Sequence, residues 1–231
     1  MINKQDDFNH VLFCYASYIR HLVKGIFTRN HYTMMIDIDV LLAWGATFKK
    51  VCAGEIIFRE GTQPNFYYQL ISGKVRWVNI KEDGKEYIQD IVEPNECFGE
   101  FSLFDREPFA ATAIANEDSV IVRLHAETFH QLLKEYPELN NEFLKLLTQR
   151  LRFKFLIANE LSCGNPEHRI SVLLGYLKQN EKTFCKKCSQ VKLTRKEIAD
   201  MTGLRVETVI RSIKHLHNKG WLHINKGKVY C

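Results

Sequence analysis

The sequence lacks any apolar run approaching the ~18 residues of a membrane-spanning helix, so no helical span is expected. A secretory signal is not expected either. The opening stretch MINKQDDFNHVLFCYASYIRHLVKG has Asp6, Asp7 and His10 ahead of its short apolar part, and no small-residue cleavage site after it. The seven cysteines are odd in number and mostly scattered, which suits a reducing cytoplasm better than a disulfide framework. No Ser-His-Asp set, carboxylate pair or metal-ligand spacing is apparent. Among the nine histidines only His215 and His217 stand close, and they fall on different helix faces. Neither an enzyme nor a resident metal is expected.

What is present is a folded chain with a lopsided charge. Of 231 residues, 45% are hydrophobic and 26% charged, enough for a real core. Residues 164–231 hold 14 Lys/Arg against 5 Asp/Glu, whereas residues 1–163 hold 18 against 22. A basic C-terminal third beside a mildly acidic remainder points to two domains, one with a polyanionic partner.

Residues 1–35 read as a loosely organised helical extension; Met34 and Met35 stand just before the more regular IDIDVLLAWGATF. Residues 36–136 read as a sheet domain. Short runs (FKKV, EIIF, FYYQLI, VRWVNI, EYIQDIV, ATAIA, SVIVRL) are separated by turn residues at the spacing of a sandwich or barrel. The period then lengthens. AETFHQLLKEY is a short helix stopped by Pro137, and a long helix follows from about Glu138 to Leu161. Leu144, Leu147, Leu151, Ala158 and Leu161 form a narrow seam on it, with Lys154 interrupting, that suits a coiled-coil dimer contact. A second stripe of Phe143, Leu146, Phe153 and Ile157 is expected to cover the sheet domain. Residues 137–163 are thus a dimerisation helix and hinge, and 164–231 a second domain.

In that domain Asn165 and Pro166 open a helix over 166–179, and Thr194 with Glu197 makes the spacing of a capping box. A turn at Met201-Thr202-Gly203-Leu204 joins two helices, and WLHINKGKVY closes as a hairpin turning at Gly227. This is the layout of a winged helix-turn-helix. Val209, Ile213 and Leu216 supply packing, while Arg205, Val206, Glu207, Ile210 and Arg211 cluster near the second helix's N-terminus, the end that enters the major groove. Arg211 can donate to guanine and Glu207 accept from cytosine; Val206 and Ile210 can rest on thymine methyls. Thr194, Lys196, Arg205 and Lys214 are candidate phosphate contacts. The plainer reading of Glu207 and Arg211 is an i,i+4 surface ion pair. A competing function is a small-molecule-binding or assembly module that has lost DNA binding.

FGEFSLFDREPFAATAIANEDS, the long helix and LTRKEIADMTGLRVETVIRSIKHLHNKGWL together resemble the cyclic-AMP receptor protein / fumarate-nitrate regulator (CRP/FNR) family of bacterial transcription factors. The resemblance covers about residues 40–231, and Glu-Thr-Val-x-Arg at Glu207 to Arg211 is its most characteristic part. It implies an α+β protein: an N-terminal cyclic-nucleotide-binding-like β-roll, a shared long dimerisation helix and a C-terminal winged helix-turn-helix. It implies a cytoplasmic homodimer on an inverted-repeat DNA site with a TGA-like core, a contact with RNA polymerase near Lys186 and Lys187, and a small-molecule effector. Val206 looks more like the fumarate-nitrate branch; Ile210 departs from that branch's usual small polar residue.

Within the resemblance, the effector pocket falls on Gly99, Glu100, Phe109, Ala110, Lys154 and Phe155. Gly99 and Glu100 match cyclic-nucleotide members, but Phe109 and Ala110 stand where the phosphate-binding Arg-Ser pair belongs, and Lys154 and Phe155 replace the base-contacting pair. Burying a cyclic phosphate against Phe would strand a charge, so cyclic AMP in the usual manner is not expected, unless Arg106 substitutes. Cys14, Cys52 and Cys97 are isolated, unlike the cysteine clusters of iron–sulfur members. Cys185-Lys-Lys-Cys188 is the only close pair: half a zinc site, a reactive pair activated by its lysines, or two ordinary loop cysteines.

Overall fold

The computed structural model describes residues 36–162, 164–180, 182–185 and 187–231. The expectations for the N-terminal extension and Cys14 lie outside them. The first element is the short helix α1 (Ile38–Ala43), capped by Asp37, whose side chain accepts from the Asp39 N–H. Eight strands follow: β1 (Thr47–Val51), β2 (Ile56–Phe58), β3 (Phe66–Ser72), β4 (Val75–Ile80), β5 (Glu86–Val92), β6 (Cys97–Phe98), β7 (Thr112–Ala115) and β8 (Ser119–His125). Helix α2 (Phe101–Asp105) interrupts them after β6. The strands form two four-stranded antiparallel sheets, ordered β1-β8-β3-β6 and β2-β7-β4-β5.

Alternation along β3 shows how the layers form. Tyr68 and Leu70 point between the sheets, into a core with Phe58, Trp77, Phe98, Phe109 and Ile121. Tyr67 points the other way, where α3 (Ala126–Glu135) and the first half of α4 (Glu138–Ser162) cover it with Phe129, Leu132 and Phe143. Gln69 shares that buried side because its amide is satisfied: it accepts from the Tyr67 hydroxyl at 2.8 Å and donates to the Ile36 carbonyl at 3.1 Å.

The outer face of the second sheet is also apolar. Val78, Ile88, Ile91 and Ile114 lie there; the register shift opposite Trp77 and Val78 leaves Gln89 as an extra residue on β5 and so brings Ile88 and Ile91 to the same face. The C-terminal domain covers them. It comprises α5 (Pro166–Gln179), α6 (Arg195–Thr202), α7 (Val206–Asn218), β9 (His223–Asn225) and β10 (Lys228–Tyr230). Its Ile170, Leu173, Leu174, Leu177, Ile198, Val209, Ile213 and Leu216 join the sheet residues in one continuous cluster. The long helix is shared accordingly. Phe143 packs in the sheet domain, whereas Phe153 stacks on Tyr176 of α5 at 4.5 Å, and Ile157 lies in the joint cluster. The expected second stripe therefore covers the sheet domain with its first half and the C-terminal domain with its second. No helix among the described residues is long and apolar enough to cross a membrane.

Polar contacts ring this joint. Lys182 bonds Asp90 at 2.8 Å and Glu96 at 3.1 Å, and the Thr183 N–H donates to Glu93 at 3.1 Å. Burial pushes the Asp90 pKa up, but Lys182 and Arg150 outweigh it and hold it below the ordinary value. Burial dominates at Glu96 and raises it despite Lys182. Replacing Lys182 with Met leaves two buried carboxylates without their cation and should lower stability by about 3 kcal/mol at neutral pH. In the native chain the contribution of Asp90 is present above its unfolded pKa and lost as pH falls through its folded value. In the variant, neutral carboxylates are favoured, so protonation is stabilising. The gap in thermal midpoint between native and Lys182→Met protein should narrow from about pH 7 to about pH 5. A gap independent of pH would contradict this account.

Candidate nucleic-acid interface and sensing core

The C-terminal domain is built to present α7. Asn165 caps α5 with Pro166 in its first turn. Thr194 caps α6: its hydroxyl accepts from the Glu197 N–H at 3.1 Å, and Glu197 accepts from the Thr194 N–H at 2.7 Å, a closed capping box. Gly203 ends α6 in the left-handed region at φ 67°, where a side chain would be strained, and this sets the turn into α7. The wing hairpin turns at Lys226 and Gly227, both at positive φ, as a two-residue loop of the twist-matching kind requires. Arg195 ties α6 to that turn through the Gly227 carbonyl at 3.3 Å.

On α7, Val209, Ser212, Ile213 and Leu216 are buried. Arg205, Glu207, Ile210, Arg211 and Lys214 are exposed, and Ile210 keeps 50% of its surface in solvent. Val206 departs from the expected cluster: it is half-buried against the domain core. Lys196 is engaged by Asp200 at 2.6 Å yet remains two-thirds exposed, and Thr194 is exposed beside it. At the far end of α7, Glu167 of α5 holds both His215 and Lys219, while His217 faces the Leu222 carbonyl; these histidines fix the domain.

The sensing core gathers only part of the expected pocket. Gly99, at φ 74°, lies against Phe58 and Phe109, and a Cβ there would sit 2.9 Å from both rings. Those rings stack at 3.8 Å between centroids, with Phe98 and Tyr68 continuing the aromatic packing. Glu100 is fully buried and bonded to Arg150 of α4 at 2.5 Å; Arg150 also donates to the Cys97 carbonyl at 2.7 Å and lies over Trp77. Burial raises the Glu100 pKa and the Arg150 charge partly offsets it. The other expected members lie elsewhere. Ala110 is exposed, its carbonyl accepting from Asn79. Lys154 reaches β5 and donates to the Gln89 backbone and side chain at 2.8 and 2.5 Å. Phe155 is 69% exposed on the outer side of α4. Arg106 ends α2 in the left-handed region at φ 61° and lies exposed on the surface. Sequence reasoning missed Arg150, since a long helix bearing several cations gives no sign of which one turns inward.

On the seam of α4, Leu144, Leu151, Ala158 and Leu161 are exposed, and Leu147 is half-buried at its edge. Phe155 joins that row. Among the described residues no group of three His, Cys, Asp or Glu is placed to hold a metal ion.

A sheet domain closed by a long helix, carrying a winged helix-turn-helix with a solvent-facing second helix, defines a DNA-binding transcription regulator with an attached sensing domain. The matching family models agree: a cyclic nucleotide-binding domain over residues 48–136 and a Crp-like helix-turn-helix domain over residues 168–230. The cyclic AMP receptor protein of Thermus thermophilus is 30% identical over 177 residues, 76% of this chain and 79% of that protein. The transcriptional activator protein anr of Pseudomonas aeruginosa is 25% identical over 198 residues, 85% of this chain and 80% of that protein. In fold, the chain is similar to the c-di-GMP responsive regulator CLP of Xanthomonas campestris, at a TM-score of 0.66 and 23% identity, covering 84% of this chain and 96% of that one. The chain belongs to the CRP/FNR family of transcription regulators.

Proposed function

We propose that the protein works as a cytoplasmic homodimer that binds an inverted repeat in double-stranded DNA through α7, and that its sensing domain does not take cyclic AMP in the manner of its cyclic-AMP-responsive relatives. The observation carrying the DNA reading is the two-sided character of α7. Val209, Ile213 and Leu216 are buried, while Glu207, Ile210 and Arg211 stand in solvent at its N-terminal end. Arg211 reads guanine, Glu207 accepts from a cytosine amino group, and Ile210 lies against a thymine methyl. Val206, half-buried, adds a narrower apolar edge. Thr194, Lys196, Arg205 and Lys214 meet phosphates and set register. The loop bearing Lys186 and Lys187 is the candidate contact for RNA polymerase.

The dimer reading rests on α4. Leu144, Leu151 and Ala158 recur every seven residues with Phe155 between the last two, and this apolar row faces solvent in the single chain. Replacing Leu144 and Leu151 together with Asp should yield a folded monomer, because neither side chain belongs to the chain's own core. Analytical ultracentrifugation that still finds a dimer would refute the seam.

Against the cyclic nucleotide counts Phe109, which by the family resemblance takes a phosphate-binding position and is buried and stacked on Phe58, offering no donor. The Thermus relative is named a cyclic AMP receptor, so the shared fold does not decide the ligand. Titration calorimetry with cyclic AMP at about millimolar concentration, where only an interaction above about 4 kcal/mol registers, should show no saturable heat. Micromolar binding would overturn the assignment.

For the DNA, in vitro site selection should return an inverted repeat with half-site centres ~10 bp apart, a TGA-like core and one fixed G·C pair per half-site. Arg211→Ala should cost about 1–3 kcal/mol and relax preference at the guanine, whereas Lys214→Ala should weaken all sequences alike and flatten the salt dependence. A selected pool without an inverted repeat would show this reading of α7 to be wrong.

A further inference from the structure

The segment joining α5 to α6 has a feature that DNA binding does not use. Phe184 and Val191 pair as an isolated β-bridge and are buried in the domain core. Between them the chain makes a tight turn: the Ser189 N–H donates to the Cys185 carbonyl at 2.8 Å, and the Cys185 N–H to the Gln190 carbonyl at 2.8 Å. Cys185 and Cys188 sit on this turn, half-exposed and exposed respectively, with free thiols. The Cys188 side chain and the backbone N–H groups of Cys188 and Lys187 point at the Cys185 sulfur and hold its pKa below the ordinary thiol value, with Lys192 adding positive charge. The activating contact is therefore chiefly the second cysteine, rather than the flanking lysines alone.

The turn is tied to the joint between the domains. The Lys192 N–H donates to the Thr183 carbonyl at 2.7 Å. Thr183 and Lys182 are the residues that grip Glu93, Asp90 and Glu96 of the sensing domain. Thr183 and Ser189 both adopt positive φ, at 58° and 56°, so the ribbon is already wound tightly at both ends. We propose that Cys185 and Cys188 are a reversible dithiol–disulfide site, oxidised by a hydroperoxide, whose closure weakens the grip of Lys182 and Thr183 on the sensing domain.

The chemistry balances. The Cys185 thiolate attacks a peroxide oxygen, the O–O bond breaks, and the departing oxygen takes a proton and leaves as water or alcohol. The sulfenic acid on Cys185 is then attacked by the Cys188 thiolate; the S–O bond breaks and water leaves with the second proton. Two electrons pass from the sulfur pair to the peroxide, and a cellular dithiol returns them by exchange. The domain core holds Phe184 and Val191 but neither thiol. The two cysteines stand outside it, one polarising the other, in a setting that favours reaction.

The test uses the full-length protein, treated with hydrogen peroxide and then alkylated. Peptide mass spectrometry should find Cys185 joined to Cys188 within one chain, lighter by two hydrogens and released by dithiothreitol. Free thiols at both positions, or irreversible sulfinic acid on either, would overturn the site. Hydrogen exchange should then show faster exchange across residues 182–192 and β5 in oxidised than in reduced protein, by at least about fivefold, the lower end of ordinary couplings between sites. The Cys188→Ser protein treated alike should show no such difference. Unchanged exchange once the disulfide has formed would overturn the coupling. Neither readout involves DNA, so failure here leaves the DNA reading standing.

Discussion

A sheet that is apolar on both faces must be covered on both, and the rest of this molecule follows from that constraint. The inner faces of the two sheets cover one another around Tyr68, Trp77 and Phe98. Among the described residues, Val78, Ile88, Ile91 and Ile114 on the outer face of β2-β7-β4-β5 find their cover in the helix-turn-helix domain and in Phe153 and Ile157 of α4. Burying a side chain of this size contributes roughly 1.5–3 kcal/mol. The joint is thus apolar at its centre, and the charges around it are drawn out of water and must be paired. Asp90, Glu96 and Lys182 satisfy that demand together.

Glu197 shows how closely local and long-range structure are tied. One carboxylate oxygen closes the capping box of α6 on the Thr194 N–H. The other accepts from Lys74 at 2.8 Å and Asn116 at 3.2 Å on the sensing domain. The start of the first helix of the helix-turn-helix and the docking of the whole domain therefore share a single side chain. In the sensing core, the Glu100–Arg150 pair lies beside an interior where stacked aromatic rings are packed among aliphatic side chains.

Much of this was legible in the sequence because the signals are local. The period-two runs became strands; Asn165-Pro166 and Thr194…Glu197 became helix starts; Gly203 and Gly227 became turns. The two-sided pattern of α7 survives as burial, with Val206 as the exception because the first turn of a helix leans on the turn before it. Long-range placement was not legible. Phe155 was expected in the pocket and lies on the seam face, since the helix phase that separates the two is set by where α4 meets the sheet. Ala110 faces out although Phe109 faces in, because the chain bends at Ala110 before β7 begins at Thr112. The joint itself went unforeseen, because an outward isoleucine on a strand looks the same whether solvent or a second domain lies beyond it.

The division of α4 between two cores has a mechanical meaning. Its 25 residues make a rod of about 37 Å. Phe143 is clamped in the sensing domain near one end, and Phe153 and Ile157 are clamped with the DNA-binding domain towards the other. Such a rod acts as a lever with both ends loaded. A tilt of about 5° at the sensing end carries the far end through roughly 3 Å, close to the rise of one base pair along a DNA strand. Because Phe153 and Ile157 share one cluster with Val78, Ile88, Ile91 and Ile114, a shift of that size cannot stay within the helix: it shears the joint between the two domains.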